Sequence, residues 1–203
     1  AANRNPLVNP VLISIALMGG ILVVTDAPYQ KYFEGAQFVH FLLGPATVAI
    51  AVPLVRHRAL VMANLLPMAA ALVAGAIVAC VSAVAIAAAF GAPRQVLVSL
   101  APKSVTAGIA MAVSENLGGV PALTAVLVIT TGILGAVVVT PLMNALRIKD
   151  FAARGFAVGL ASHGIGTARA FVVDEVAGTF AGIAMGLNGL ATSLIVPLLM
   201  RWM

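Results

Sequence analysis

The sequence predicts an all-α fold: a polytopic transmembrane helical bundle with two interrupted segments, either broken or re-entrant. Three observations predict it. Of 203 residues, 62% are hydrophobic and 8% charged, against about 25% charged in an average soluble domain. Mean hydropathy is +1.13. Apolar runs of about 20 residues, the length that crosses a bilayer, recur along the chain between short charged loops. Eleven basic and six acidic side chains are too few to wet a soluble domain of this size. This excludes an ordinary soluble enzyme, a disordered chain and a nucleic-acid-binding module. Aromatics are 5% of residues, without the alternating strands and aromatic girdles of an outer-membrane barrel. The net charge of +5 therefore reads as a marker of cytoplasmic loops. A single cysteine, Cys80, leaves no disulfide within the chain.

Residues 1–203 read as a single integral membrane domain with about five full spans. The first run is Pro6 to Val24, followed by a polar loop holding Asp26, Lys31 and Glu34. The second is Ala36 to Val55, interrupted at Gly44-Pro45 and closed by Arg56, His57 and Arg58. The third, Leu60 to Phe90, is long enough to tilt or project. The next segment, 94–113, is apolar but cut by Ala101-Pro102-Lys103-Ser104, and Gly118-Gly119-Val120-Pro121 marks a turn after it. Ala122 to Leu146 is a clean span, and Arg147, Lys149, Asp150 and Arg154 form the most charged loop. The second interrupted segment, 151–173, is broken by Ser162-His163-Gly164-Ile165-Gly166-Thr167. Val176 to Met200 is the last span.

The two interrupted segments occupy matching places. Each precedes a clean span, one ending near Pro141 and the other near Pro197, with Gly132 and Gly189 at similar distances before them. An inverted repeat and a coincidence of Gly and Pro both fit these landmarks. Interrupted segments in corresponding positions of two halves are the best sequence pointer to a transporter's binding site.

The positive-inside rule tests topology. If both interrupted segments cross, the cations divide three on the Arg4 side to six on the other. If only the first returns to its own side, the division is seven to two; if both return, it is six to three. The rule favours re-entry of the first segment, with Arg4, Arg56, Arg58 and the 147–154 loop cytoplasmic. It does not decide the second.

Lys103 sits among apolar residues beside Pro102, which removes a backbone donor and breaks a helix. A break at membrane depth is tolerated only against protein or a wet cavity. The following half-helix would present free N–H groups and its positive dipole end near Ser104 and Thr106. Together with the Lys103 charge these describe an anion site; a lysine snorkelling beside a kink is the other reading. An intramembrane histidine is a functional candidate by default, and the unperturbed pKa of about 6.5 suits a proton-coupled step at His163. Gly164 and Gly166 permit unwinding there, and Ser162 and Thr167 flank the histidine. Arg169, six residues on, offers a fork for a carboxylate or a pairing with Asp174 at the membrane edge. Candidate substrate-binding residues are thus Lys103, Ser104, Thr106, Ser162, His163, Thr167 and Arg169. Candidate helix breaks are Pro102, Gly118, Gly119, Pro121, Gly164 and Gly166. Thr124, Thr130, Thr131, Asn188 and Thr192 read as bonding across helices or to their own turns. His40 and His57 read as interfacial.

Enzyme signatures are missing: no phosphate loop, no paired His at helical spacing, no Gly-x-Ser-x-Gly. Neither catalysis, a metal nor a cofactor is expected.

The runs Pro102-Lys103-Ser104-Val105-Thr106, Gly118-Gly119-Val120-Pro121-Ala122-Leu123-Thr124-Ala125, Thr131-Gly132-Ile133-Leu134-Gly135-Ala136 and Ser162-His163-Gly164-Ile165-Gly166-Thr167-Ala168-Arg169, in this order, resemble the LrgB/CidB family. The resemblance covers most of the chain and is strongest from 95 to 202. It implies a bacterial inner-membrane, multi-pass protein. Plastid relatives export glycolate and glycerate, which implies a transporter of small hydroxycarboxylates. Bacterial relatives are described as holin/antiholin-like regulators of murein hydrolases and lysis, which is the alternative. A small LrgA/CidA-type membrane partner, a homo-oligomer and a coupling proton or sodium ion belong to the same expectation. Relatives often carry Thr-Pro where Ala107-Gly108 stand here, and a common Ala where Gly164 stands. They also usually begin with one more apolar segment, so a further helix is expected ahead of Ala1.

Overall fold

A computed structural model describes residues 10–49 and 51–201, without the side chains of 10–12, 39, 40, 43, 44, 46–49 and 51. Arg4 and the His40 side chain, both used above, lie outside the described residues. Every regular element among the described residues is a helix. The chain divides into two compact units, 1–56 and 57–203.

In the first unit, α1 is Pro10–Thr25, α2 Tyr29–Ala49 and α3 Ala51–Arg56. Lys31 and Glu34, read above as loop residues, lie inside α2. Both are good helix formers and continue the helix outward from the apolar run. Pro45 sits within α2.

The second unit holds α4 (Arg58–Ala63), α5 (Leu65–Ala89), α6 (Arg94–Leu100), α7 (Ala107–Asn116), α8 (Pro121–Ala145), α9 (Phe151–Val173) and α10 (Glu175–Met200). By length and composition α5, α8, α9 and α10 can each cross a membrane. The expected third span is divided at Asn64, whose side-chain amide donates to the Leu60 carbonyl at 2.8 Å. Met68, Ala76, Cys80 and Val84 form the buried stripe of α5.

Residues 101–106, around Pro102, separate α6 from α7, and the two helices fold back as a hairpin. Val98 and Ala101 share one buried cluster with Val113 and Leu117. A Cβ on Gly119 would meet both Ser114 and Ser99. The base of the hairpin is closed chemically. Gly118 has φ +82°, and the Gly118 and Gly119 N–H groups donate to the Glu115 and Ser114 carbonyls, the pair of hydrogen bonds that ends a helix on a left-handed glycine. The Val120 N–H then donates to Ser99 Oγ at 2.8 Å, and Thr124 Oγ1 bonds Ser114 Oγ at 2.7 Å. Pro121 starts α8, where its missing N–H costs nothing.

Helix α9 also folds on itself. Its backbone leaves the helical region at Ser162 (φ −130°, ψ 16°) and His163 (φ 42°, ψ −137°). A straight helix would hold Phe151 and Val173 about 33 Å apart. Instead Phe151, Arg154, Gly155 and Val158 line one small pocket with Arg169, Ala170 and Val173. A Cβ on Gly166 would lie 2.9 Å from Val158 Cγ2. The arms 151–161 and 164–173 therefore lie side by side, antiparallel. Asp150 caps the first arm, its carboxylate accepting from the Ala153 N–H at 2.7 Å. Asp174 caps α10, accepting from the Val176 and Ala177 N–H groups.

Glycines let α10 pack against both arms. A Cβ on Gly155 or Gly159 would collide with the backbone of Ala177 or Ala181, so the first arm runs parallel to α10 in near-contact. On the second arm Gly164 neighbours Met185 and Phe171 neighbours Gly178, which is the antiparallel order.

Helices α8 and α10 run in opposite directions between the two hairpins. Helix α8 starts at the base of the α6–α7 hairpin and ends beside Arg154, which donates to the Thr140 carbonyl at 3.5 Å and bonds Asn144. Helix α10 starts at the base of the α9 hairpin and ends where Arg94 donates to the Met200 carbonyl at 3.3 Å. Each hairpin is followed by a long helix, and the two pairs are mutually inverted.

Candidate functional site

The two hairpin tips carry most of the residues singled out above. At the α6–α7 tip, Pro102 and Val105 are buried and Lys103 is half-buried. Lys103 Nζ donates to Ser104 Oγ at 3.2 Å. Thr106 is the N-cap of α7, with extended φ and ψ, and its hydroxyl makes no capping bond. The first-turn N–H groups of α7 therefore face the tip without a side-chain cap there.

At the α9 tip, Ser162, His163 and Thr167 are buried. A φ of +42° on a histidine is strained, by roughly 1–3 kcal/mol, and persists only where its surroundings dictate it. Here α8 supplies them. His163 Nε2 lies 2.9 Å from the Val128 carbonyl oxygen. A carbonyl can only accept, so Nε2 carries a hydrogen and donates, and the neutral ring keeps its lone pair on Nδ1. A Cβ on Gly132 would lie 2.7 Å from His163 Cε1 and 2.9 Å from Nε2. Gly132 is thus the slot for the imidazole, and Gly135, one turn on, leaves room for Ser162. Thr167 Oγ1 donates to the His163 carbonyl at 2.8 Å and lies 3.9 Å from Met185 Sδ.

One side chain joins the tips. Asn188, at the middle of α10 and 1% exposed, donates through Nδ2 to the Leu160 carbonyl at 3.0 Å and the Ser104 carbonyl at 3.4 Å. Its Oδ1 accepts from Thr192 at 3.3 Å. Leu160 lies in the last turn before the α9 break, and Ser104 lies in the α6–α7 break, so both carbonyls fall where a helical ladder ends. Lys103 lies within electrostatic reach of His163 and of Cys80.

Ser104, Lys103, Ser162, His163 and Thr167 are thus brought to the tips, with Thr106 opening α7 beside them. Arg169 is not. It lines the small pocket at the base of the α9 hairpin with Thr140 and Arg154, well down the second arm from His163. The break expected at Gly164 and Gly166 is shifted. Gly164 and Gly166 lie in the second arm, and the departure from helix falls on Ser162 and His163 instead. Gly166 serves close approach, since a Cβ there would lie 2.6 Å from Ser162 Cβ; Gly164 has only Met185 Sδ near, at 3.8 Å. Gly118, Gly119 and Pro121 stand in the expected break, the turn between α7 and α8 at the hairpin's base. Asn188 and Gly132 were the residues the sequence undervalued. A mid-span asparagine was the available signal, but its partners are backbone carbonyls 84 and 28 positions away.

A separate cavity of about 470 Å³ lies between α5 and the first arm of α9, lined mainly by apolar side chains including Met68, Phe156 and Phe180. Among the described residues no three His, Cys, Asp or Glu side chains gather as a metal site.

Residues 1–202 match the LrgB-like family. The chain belongs to the LrgB-like family. It is 35% identical to the YwbG protein of Bacillus subtilis (strain 168) over 195 residues, which cover 96% of this chain and 87% of that protein. It is 31% identical to the holin-like protein CidB of Staphylococcus aureus (strain N315) over 195 residues, covering 96% and 85%. The YxaC protein of Bacillus subtilis (strain 168) is 32% identical over 193 residues, covering 95% and 84%. No solved structure matches. Family membership over the whole chain, with four helices apolar and long enough to span, makes this LrgB-like chain an integral membrane protein.

Proposed function

We propose that this chain is a carrier of small organic anions, hydroxycarboxylates such as glycolate or glycerate, in the bacterial inner (cytoplasmic) membrane. The observation that carries the reading is the meeting of two hairpin tips at one buried amide, Asn188, with the Lys103 ammonium beside it. Each tip also begins a helix, α7 or the second arm of α9, whose first N–H groups and positive dipole end favour an anion. An unpaired carboxylate in a low-dielectric site costs several kcal/mol even after relaxation, and these groups offset that cost. Ser104 and Thr106 supply hydroxyls at the first tip, and His163 supplies a group able to exchange a proton at Nδ1. A proton or sodium ion then drives the cycle. Arg169, at the hairpin base, acts on the approach path and not at the tips.

The deciding experiment is uptake of radiolabelled glycolate into proteoliposomes. Saturable uptake is expected, lost in Lys103→Ala and partly kept in Lys103→Arg, which retains charge but alters geometry. Uptake by Lys103→Ala equal to wild type removes the anion site.

The second reading is a holin-like pore or a regulator of murein hydrolases and lysis, working with a small LrgA/CidA-type partner or as a homo-oligomer. The name of the Staphylococcus aureus relative favours it. In the same vesicles a pore would give non-saturable release of unrelated small solutes, and a regulator would give no flux at all.

A further inference from the structure

We infer that Asn188 is a positioning residue that latches two gates: the α6–α7 hairpin and the α9 hairpin, which open on opposite membrane faces. The inference rests on the carrier reading for its purpose, but its geometry stands apart from transport.

The two hairpins enter the second unit from opposite ends. The α6–α7 base lies at the Met200 end of α10, fixed by the Arg94 bond to the Met200 carbonyl. The α9 base lies at the Ala177 end, fixed by Gly155 against Ala177. Helix α10 has 26 residues and Asn188 stands at its middle, where the tips arrive from either side. The exchange of partners is reciprocal. Gly132, at the middle of α8 in the first hairpin–helix pair, holds His163 of the second pair. Gly189, at the middle of α10 in the second pair, lies against Ile109 Cδ1 of the first, which a Cβ would approach to 2.8 Å. Each long helix thus receives the tip region of the other pair's hairpin. Two inverted, interlocked pairs of this kind have two equivalent ways to open, one per hairpin.

Asn188 is the group that both closed tips share. An amide has two N–H hydrogens, and here each meets a carbonyl at a helix break. The carbonyls belong to different hairpins, so neither gate withdraws without leaving a buried donor of Asn188 unpaired. Water or substrate must replace the lost partner, so opening one gate wets that gate's own tip and leaves the other tip held and shielded. The bond to Ser104, at 3.4 Å, is the longer and weaker of the two, so the α6–α7 tip is the gate that releases first.

The test is side-specific thiol labelling of reconstituted chain in a Cys80→Ala background. One cysteine is placed at Thr106 on the first tip, another at Gly164 on the second, where a Cβ has room. An impermeant maleimide is applied to one face of the vesicle at a time. Each position is expected to label from a single face, and the two faces to be opposite. Labelling of both from one face overturns the two-gate arrangement. Asn188→Ala is expected to raise labelling at both positions at least tenfold; unchanged rates overturn the latch. Should that variant fail to fold, the isosteric Asn188→Asp keeps the test. Protonated, it donates one hydrogen bond; ionised, it donates none and faces two carbonyl oxygens. Tip labelling should therefore rise reversibly as pH rises in Asn188→Asp. Lys103 and His163, the titratable groups at the tips, are present in both chains, so the wild-type pH profile is the control. A variant profile that matches the wild type overturns the latch. Opposite-face labelling without glycolate uptake would leave the gates standing and remove the carrier reading.

Discussion

At the scale of single residues, the strain at His163 and the space at two glycines make opposite predictions. Gly132→Ala drives a Cβ to within 2.7 Å of the imidazole, so either the ring leaves and its Nε2–Val128 bond breaks, or α8 shifts. Overpacking of this kind costs about 1–3 kcal/mol, and a lowered thermal midpoint in detergent is expected. Gly164→Ala adds a methyl that meets only Met185 Sδ at 3.8 Å and removes the flexibility of a helical glycine. It should leave the midpoint unchanged or raise it, by up to about 1 kcal/mol. The reverse order of the two midpoints would mean that the α9 tip is placed otherwise. His163 makes a functional prediction as well. Its donor nitrogen is committed to Val128, so a proton is gained or lost at Nδ1 with that bond intact. Gln at this position keeps an N–H donor and cannot titrate. His163→Gln should therefore flatten the dependence of glycolate uptake on pH across roughly pH 5.5 to 8, where an ordinary histidine changes charge. An unaltered profile would make His163 a purely structural donor.

At the scale of elements, the breaks were legible, and the charge rule pointed to the return of the first segment but not of the second. Pro102 between apolar runs, and the Ser-His-Gly-Ile-Gly run, marked both interruptions because Pro and Gly act locally on the backbone. Whether an interrupted segment crosses or returns depends on what it packs against, and the charge rule left 151–173 undecided. The answer lies in Gly155 and Gly159, whose missing side chains admit the backbone of α10 at Ala177 and Ala181. Nothing in the sequence singles those glycines out, since their partners are 22 positions away. The position of the α9 break was misjudged for a similar reason. Glycine is the usual place for a positive φ, yet Gly166 is occupied by a packing duty against Val158 and Ser162, and the turn fell on His163. The hairpin base gives a further test. Gly118 holds φ +82° where α7 ends, a conformation an alanine adopts at a cost of about 1 kcal/mol. Gly118→Ala should lower the thermal midpoint by that amount, and Asn116→Ala, whose side chain only returns to the Ala112 carbonyl, should not. Equal effects would remove the role given to the left-handed cap.

At the scale of the whole molecule, the inverted pairs fix which loops of the second unit share a face. His57 Nε2 lies 3.6 Å from Glu175 Oε1, and Asn64 lines one cavity with Asp150. The start of α5 and the 147–154 loop are therefore at the same end, with the base of the α9 hairpin. Arg94, Glu115 and Arg201 are at the other, with the base of the α6–α7 hairpin. Helix α5 crosses once, the first hairpin returns, α8 crosses back, the second hairpin returns and α10 crosses again. Leaving aside Lys103 and Arg169, the cations of the second unit thus divide four to two, Arg58, Arg147, Lys149 and Arg154 against Arg94 and Arg201, and the positive-inside rule makes the richer side cytoplasmic. In intact cells lacking Cys80, cysteines at Arg58 and Lys149, both exposed, should resist an impermeant thiol reagent added outside. A cysteine at Glu115, also exposed, should react. If 151–173 were instead a single crossing helix, the 147–154 loop and the start of α10 would lie on opposite faces. A cysteine at Glu175 would then report a different face from one at Lys149. Matching protection at Arg58, Lys149 and Glu175, against reaction at Glu115, is the pattern that only two returning hairpins produce.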